Sequence, residues 1–154
     1  MHLVEYLLRD FMATERASHA QGVILMHDTA PRDAAMTTRN FRELRKGSPW
    51  TGDVWKIWPI LQQYRPDLTL QMLDCKPTGL MMVSGLNPKS TVLADHYKEI
   101  IAQWQDLSIE DYGPDKFARS FVFTNAHQIS SDGFAIFAPL SLGQDVAAPK
   151  FASP

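Results

Sequence analysis

The chain predicts a mixed α/β domain with one central parallel strand, a C-terminal antiparallel hairpin and three to four flanking helices. Three observations predict it. Gly22 is followed by the unbroken apolar run Val23-Ile24-Leu25-Met26, the pattern of a strand covered on both faces. Val4, Leu7, Leu8, Phe11 and Met12 recur at helical spacing. Two strand-like runs, 68–73 and 80–83, are separated by the turn residues Lys76, Pro77, Thr78 and Gly79.

Size and composition bound the alternatives. A chain of 154 residues is one domain's worth of sequence and can bury a sizeable core. Its hydrophobic fraction of 45% and charged fraction of 21% are those of an ordinary globular protein. A net charge of −2 gives no general affinity for nucleic acid. Cys75 is the single cysteine, which excludes an internal disulfide or a cysteine zinc cluster and reads as a packed thiol. No apolar run approaches the ~20 residues needed to span a bilayer. The amino terminus also lacks a basic segment followed by a signal-type apolar block. The chain therefore reads as cytoplasmic, without a membrane partner.

The first helix runs from Met1 to about Ala17, with Glu5, Arg9 and Glu15 facing water. No capping residue precedes its periodic pattern. The Gly22 strand follows and ends in His27-Asp28. Ligands of open α/β sheets bind beyond the carboxyl ends of strands, so this pair is a candidate site. The same residues, with Thr29, Ala30 and Pro31, also suit a plain turn. From Thr29 to Gly47 the chain reads as a loop leading into a basic helix that carries Arg39, Arg42, Arg45 and Lys46. Those charges either meet a phosphate-bearing substrate or form a solvated face.

Residues 48–64 hold three of the four tryptophans. Gly52 and Asp53 are placed to cap a helix whose apolar face is Val54, Ile57, Trp58, Leu61 and Tyr64, with Pro59 as a distortion. Trp50 and Trp55 are candidates for a crevice wall, against the commoner role of an aromatic in the core. Asp53 reads as the cap and Lys56 as a surface charge. The hairpin of 68–73 and 80–83 comes next. Ser90 or Thr91 then caps a third helix with Leu93, Tyr97, Ile100, Ile101 and Trp104. Asp106, Glu110, Asp111 and Asp115 make an acidic, solvated connection. The stretches 117–124 and 133–140 have strand-like content around a polar loop with His127. His19, His96 and His127 have no evident partners. Three regions result: 1–105 as a partial α/β domain, 106–140 as a C-terminal extension and 141–154 as a mobile tail.

The order of helix, GVILMHD strand, tryptophan-rich helix and closing hairpin resembles the second half of a class I S-adenosylmethionine-dependent methyltransferase over about residues 1–104. TGDVWKIWPILQQYRPDL and the PTGL turn are similar to the substrate-side part of bacterial members. The resemblance implies a partial Rossmann-like methyltransferase sheet. It also aligns Met1-His2 with the end of an Asp-Gly-x-His loop, which brings His2 near His27 and Asp28. In relatives similar to catechol O-methyltransferase such strand ends hold magnesium. The resemblance therefore implies Asp28 as a ligand of a divalent metal such as magnesium, with His27 and His2 as catalytic groups, His27 as a general base or a ligand to another metal. It implies methylation of an oxygen or nitrogen of a small molecule.

The cofactor half of such a domain is missing. The eight glycines are scattered and none forms the GxGxG turn that lets a backbone approach S-adenosylmethionine. No cofactor-binding residue can be assigned, and transfer without a donor site loses most of its advantage. The chain alone is expected to be inactive. A sheet cut at this point needs covering by a partner chain, by a homo-oligomer or by the rest of a longer protein. Two other readings stay open: a non-catalytic binding or assembly module derived from the same family, and a small metal-dependent hydrolase using His2, His27 and Asp28.

Overall fold

The computed structural model describes residues 2–138. Seven helices and four strands follow in the order α1 (Val4–Ala17), β1 (Ile24–His27), α2 (Ile57–Tyr64), β2 (Thr69–Leu73), β3 (Leu80–Ser84), α3 (Val92–Asp95), α4 (Tyr97–Trp104), α5 (Ile109–Tyr112), α6 (Pro114–Ala118), β4 (Phe123–Thr124) and α7 (Ala126–Ser131). The strands form one mixed sheet in the order β1-β3-β2-β4. β3 lies antiparallel between β1 and β2, so those two strands run the same way, and β4 adds in parallel to β2. The expected hairpin is present, with Thr69 opposite Ser84 and Leu73 opposite Leu80.

β1 differs from the expected central parallel strand. Among the described residues it is an edge strand, paired only with β3 and antiparallel to it. Its side chains alternate between buried and exposed: Ile24 and Met26 enter the core while Leu25 is 49% exposed. A continuous apolar run looks two-sided in a sequence even where only one face is covered.

One core lies on the Ile24–Met26 face. Register puts Met81, Met72 and Val83 on the same face, and all belong to a cluster with Val4, Leu8, Phe11, Ile57, Ile60, Leu61 and Ile100. Val4, Leu8 and Phe11 fall at i, i+4 and i+7, one stripe of α1, each stabilising by about 1.5–3 kcal/mol on burial. The stripe continues to Glu15, which is buried instead of facing water. Its oxygens accept from Arg65 Nη1 and Nη2 at 2.6 and 2.8 Å, and Arg65 also grips Asp67. This pair clips the end of α1 to the end of α2. Replacing one partner would strand a buried charge, at a cost of about 3–5 kcal/mol.

Other expectations change in detail. The basic helix is absent: 34–37 and 41–43 are 3₁₀ turns, capped by Asp33 and Asn40. Residues 54–56 form a 3₁₀ turn before α2, and Pro59 sits in the first turn of α2, where a missing N–H costs little. Thr91 precedes α3 but its hydroxyl donates to Asp95 and makes no cap. The connection 106–115 is partly helical. It places Ile109 in the core, and α6 adds Phe117. Of 117–124 only Phe123–Thr124 is strand, and 135–137 is a 3₁₀ turn. His127 lies in α7, not in a loop, and His96 is not alone, since its Nδ1 lies 3.0 Å from Glu99. The tail 141–154 lies outside the described residues. No described helix is long and apolar enough to cross a membrane.

Candidate functional site

The carboxyl ends of β1 and β2 lie at one end of the sheet, so the loops that follow them, 28–33 and 74–79, are neighbours. Asp28, the first residue after β1, has φ 66°, a left-handed conformation that costs a side-chain-bearing residue about 1–2 kcal/mol. The bonds of its carboxylate hold it there. Oδ1 accepts from Thr78 Oγ1 at 2.5 Å and lies 3.0 Å from His27 Nδ1, while Oδ2 lies 3.2 Å from His2 Nε2. Thr78 is fully buried, and its carbonyl accepts from Ala30 N at 2.8 Å, stitching the two loops together. Gly79 follows with φ 73°, and a Cβ there would meet Ala30 Cβ at 2.7 Å.

His2 is held by tertiary contacts. Its carbonyl accepts from Asp53 N at 3.0 Å, and a Cβ on Gly52 would lie 1.7 Å from the same oxygen. Asp53 Oδ1 accepts from Val4 N at 2.8 Å, which supplies the helix cap absent from the local sequence. The Asp53 side chain makes no cap to its own turn, contrary to expectation. Its Oδ2 takes Lys56 Nζ at 2.8 Å and Arg39 Nη1 at 2.5 Å, and Arg39 also binds Glu5. Lys56, expected at the surface, is 1% exposed. Burial pulls its amine below the usual lysine range, against the opposing pull of Asp53. For Glu5, burial works to raise the carboxyl, but the Arg39 hydrogen bond and charge outweigh it and leave it lowered.

The three residues singled out from sequence, His2, His27 and Asp28, are thus brought together. Trp50 joins them, its ring centroid 4.7 Å from His2 and 5.6 Å from Phe41. Trp50 and Phe41 line a cleft of about 400 Å³ with Arg42, Arg45 and Lys46. Trp55 does not reach it, being fully buried against Tyr112 and Phe117. Thr78 was missed, because a buried hydroxyl in a turn has no periodicity. The only signal for it was its place in the loop opposite the His-Asp pair.

His27 Nδ1 and His2 Nε2 face the Asp28 carboxylate at ion-pair distance. Of the two rings His27 is the more exposed. The arrangement can orient an imidazole to take a proton from a bound hydroxyl or amine. It does not fit a metal ion. Asp28 Oδ1 already accepts from Thr78, and no group of three or more His, Cys, Asp or Glu residues among the described residues could hold one. Three of the turns also offer no cradle for S-adenosylmethionine. Three turn glycines, Gly52, Gly79 and Gly85, leave their space to His2, Ala30 and Asp67 of the same chain and form no cradle.

A second cavity, also about 400 Å³, lies between Ala30, Cys75, Gly79, Phe117 and Phe121. None of the His2, His27 or Asp28 side chains lines it. No known family, curated protein or solved structure matches the chain.

Proposed function

We propose that this chain is the substrate-side portion of a class I S-adenosylmethionine-dependent methyltransferase, acting on an oxygen or nitrogen of a small molecule, with the methyl donor held outside the chain. The observation that carries the reading is the convergence of His2 on Asp28 beside His27 at the carboxyl end of β1. The β1-β3-β2 order, with an antiparallel strand beside the strand that ends in His-Asp, is compatible with the closing hairpin of that fold. In this reading His27 or His2 accepts the proton of the nucleophile, and Asp28 orients the ring and stabilises the cation that forms. Trp50 offers a flat wall beside His2.

The test is an NMR titration of the chain with phenols, sugars and amines, following the ring signals of His2 and His27. One acceptor class should move both rings, and Asp28→Asn should abolish that response. S-adenosylmethionine alone should give no calorimetric heat. Ligands that bind while leaving both rings unmoved would end the proposal, as would tight donor binding by this chain.

A second reading, a non-catalytic assembly module of the same derivation, is favoured by the unpaired edge of β1 among the described residues and by exposed Leu25. It predicts a homo-oligomer in sedimentation and no ligand response at His2 or His27.

A further inference from the structure

The cavity lined by Cys75, Phe117 and Phe121 has none of His2, His27 or Asp28 in its lining and has its own chemistry. It sits at the carboxyl ends of β1 and β2, the edge where open α/β sheets bind ligands. Its volume falls within the roughly 300–1,000 Å³ of small-molecule sites. One wall is aromatic. Phe117 and Phe121 pack edge to face at 5.2 Å, and Phe121 and Phe123 do so at 5.1 Å. Phe117 is buried, whereas Phe123 is 51% exposed, a large aromatic left half in water beside a cavity.

The rim is cationic. Arg32 and Lys76 both line the cavity, and neither is ion-paired to a carboxylate among the described residues. Arg32 Nε donates to the Pro77 carbonyl at 2.6 Å, which ties the arginine to the opposite loop and leaves its two terminal nitrogens for an acceptor. The acid on the rim, Asp74, accepts from Ala126 N at 2.6 Å at the start of α7. Flat apolar walls with two cations at the mouth match a planar organic acid, its ring among the phenylalanines and its carboxylate at the rim.

We propose that this cavity is a second small-molecule site, taking an aromatic carboxylate. Cys75, half-buried in its lining and the sole cysteine of the chain, reports occupancy directly.

The full chain is titrated calorimetrically with 3-phenylpropanoate and with its neutral amide, while reaction of Cys75 with a chromogenic disulfide is timed at each concentration. The acid should bind at least tenfold more tightly than the amide and slow the thiol reaction at least fivefold at saturation. Lys76→Gln, at an exposed position, should weaken the acid three- to tenfold and leave the amide unchanged, with an unchanged circular dichroism spectrum and melting temperature as the folding control. Phe123→Ala should weaken both ligands. Equal affinity for acid and amide overturns the proposal. So does thiol reactivity indifferent to the acid, or full affinity in Lys76→Gln.

Discussion

Asp53 caps a helix that begins 49 positions before it: its Oδ1 accepts the Val4 N–H at 2.8 Å, while Oδ2 neutralises Lys56 and Arg39. Three groups converge on one carboxylate that is almost wholly buried. Asp53→Ala should therefore destabilise the protein by about 3–5 kcal/mol, read as a lowered urea midpoint, because Lys56 is left buried without its counter-charge. Adding Lys56→Met should recover part of the loss, since an apolar side chain in that place carries no charge to desolvate.

Gly52 has φ 58° and no room for a methyl group, because the His2 carbonyl occupies the space. Gly52→Ala should cost more than about 1 kcal/mol, from the left-handed backbone and the clash together. It should also move the His2 ring signal by NMR. A stability loss without displacement of His2 would mean that this loop does not position the histidine.

The backbone at Asp28 separates the cost of conformation from the worth of the carboxylate. Asp28→Ala and Asp28→Gly both remove the hydrogen bond from Thr78 and the close contacts with His2 and His27. Only alanine must keep a Cβ at φ 66°. The alanine variant should be less stable than the glycine variant by about 1 kcal/mol in denaturant unfolding. Both should lose any ligand response of the histidine rings.

Asp67 is held below its ordinary value of 3.8 by the Arg65 hydrogen bond, against a smaller opposing effect of burial. The folded state therefore binds this proton less readily than the unfolded state. The stability it contributes is complete above about pH 3.8 and is lost as pH falls through the depressed folded value. Melting temperatures measured from pH 6 down to pH 2 should fall on this limb, and Asp67→Asn should make the limb shallower. Its effect is modest, since half of the side chain meets solvent.

Local pattern carried much of the fold. The α1 stripe, the hairpin and the α2 face are periodic, and periodicity survives in any tertiary setting. The His27-Asp28 pair was legible because a strand end is a local feature. The edge position of β1 was not, since strand order depends on which neighbours exist. Lys56 and Glu15 were read as surface charges because burial of an ion depends on a remote partner, Asp53 in one case and Arg65 in the other.

The amino-acid sequence by itself determined the α/β class, the hairpin and the residue types available at the end of β1, because hydrophobic spacing and turn chemistry act over a few residues. Only the tertiary structure decided that Thr78 anchors the Asp28 carboxylate and that Asp53 caps α1 from across the chain. These contacts join residues 50 and 49 positions apart, and their geometry exists only after the core has closed.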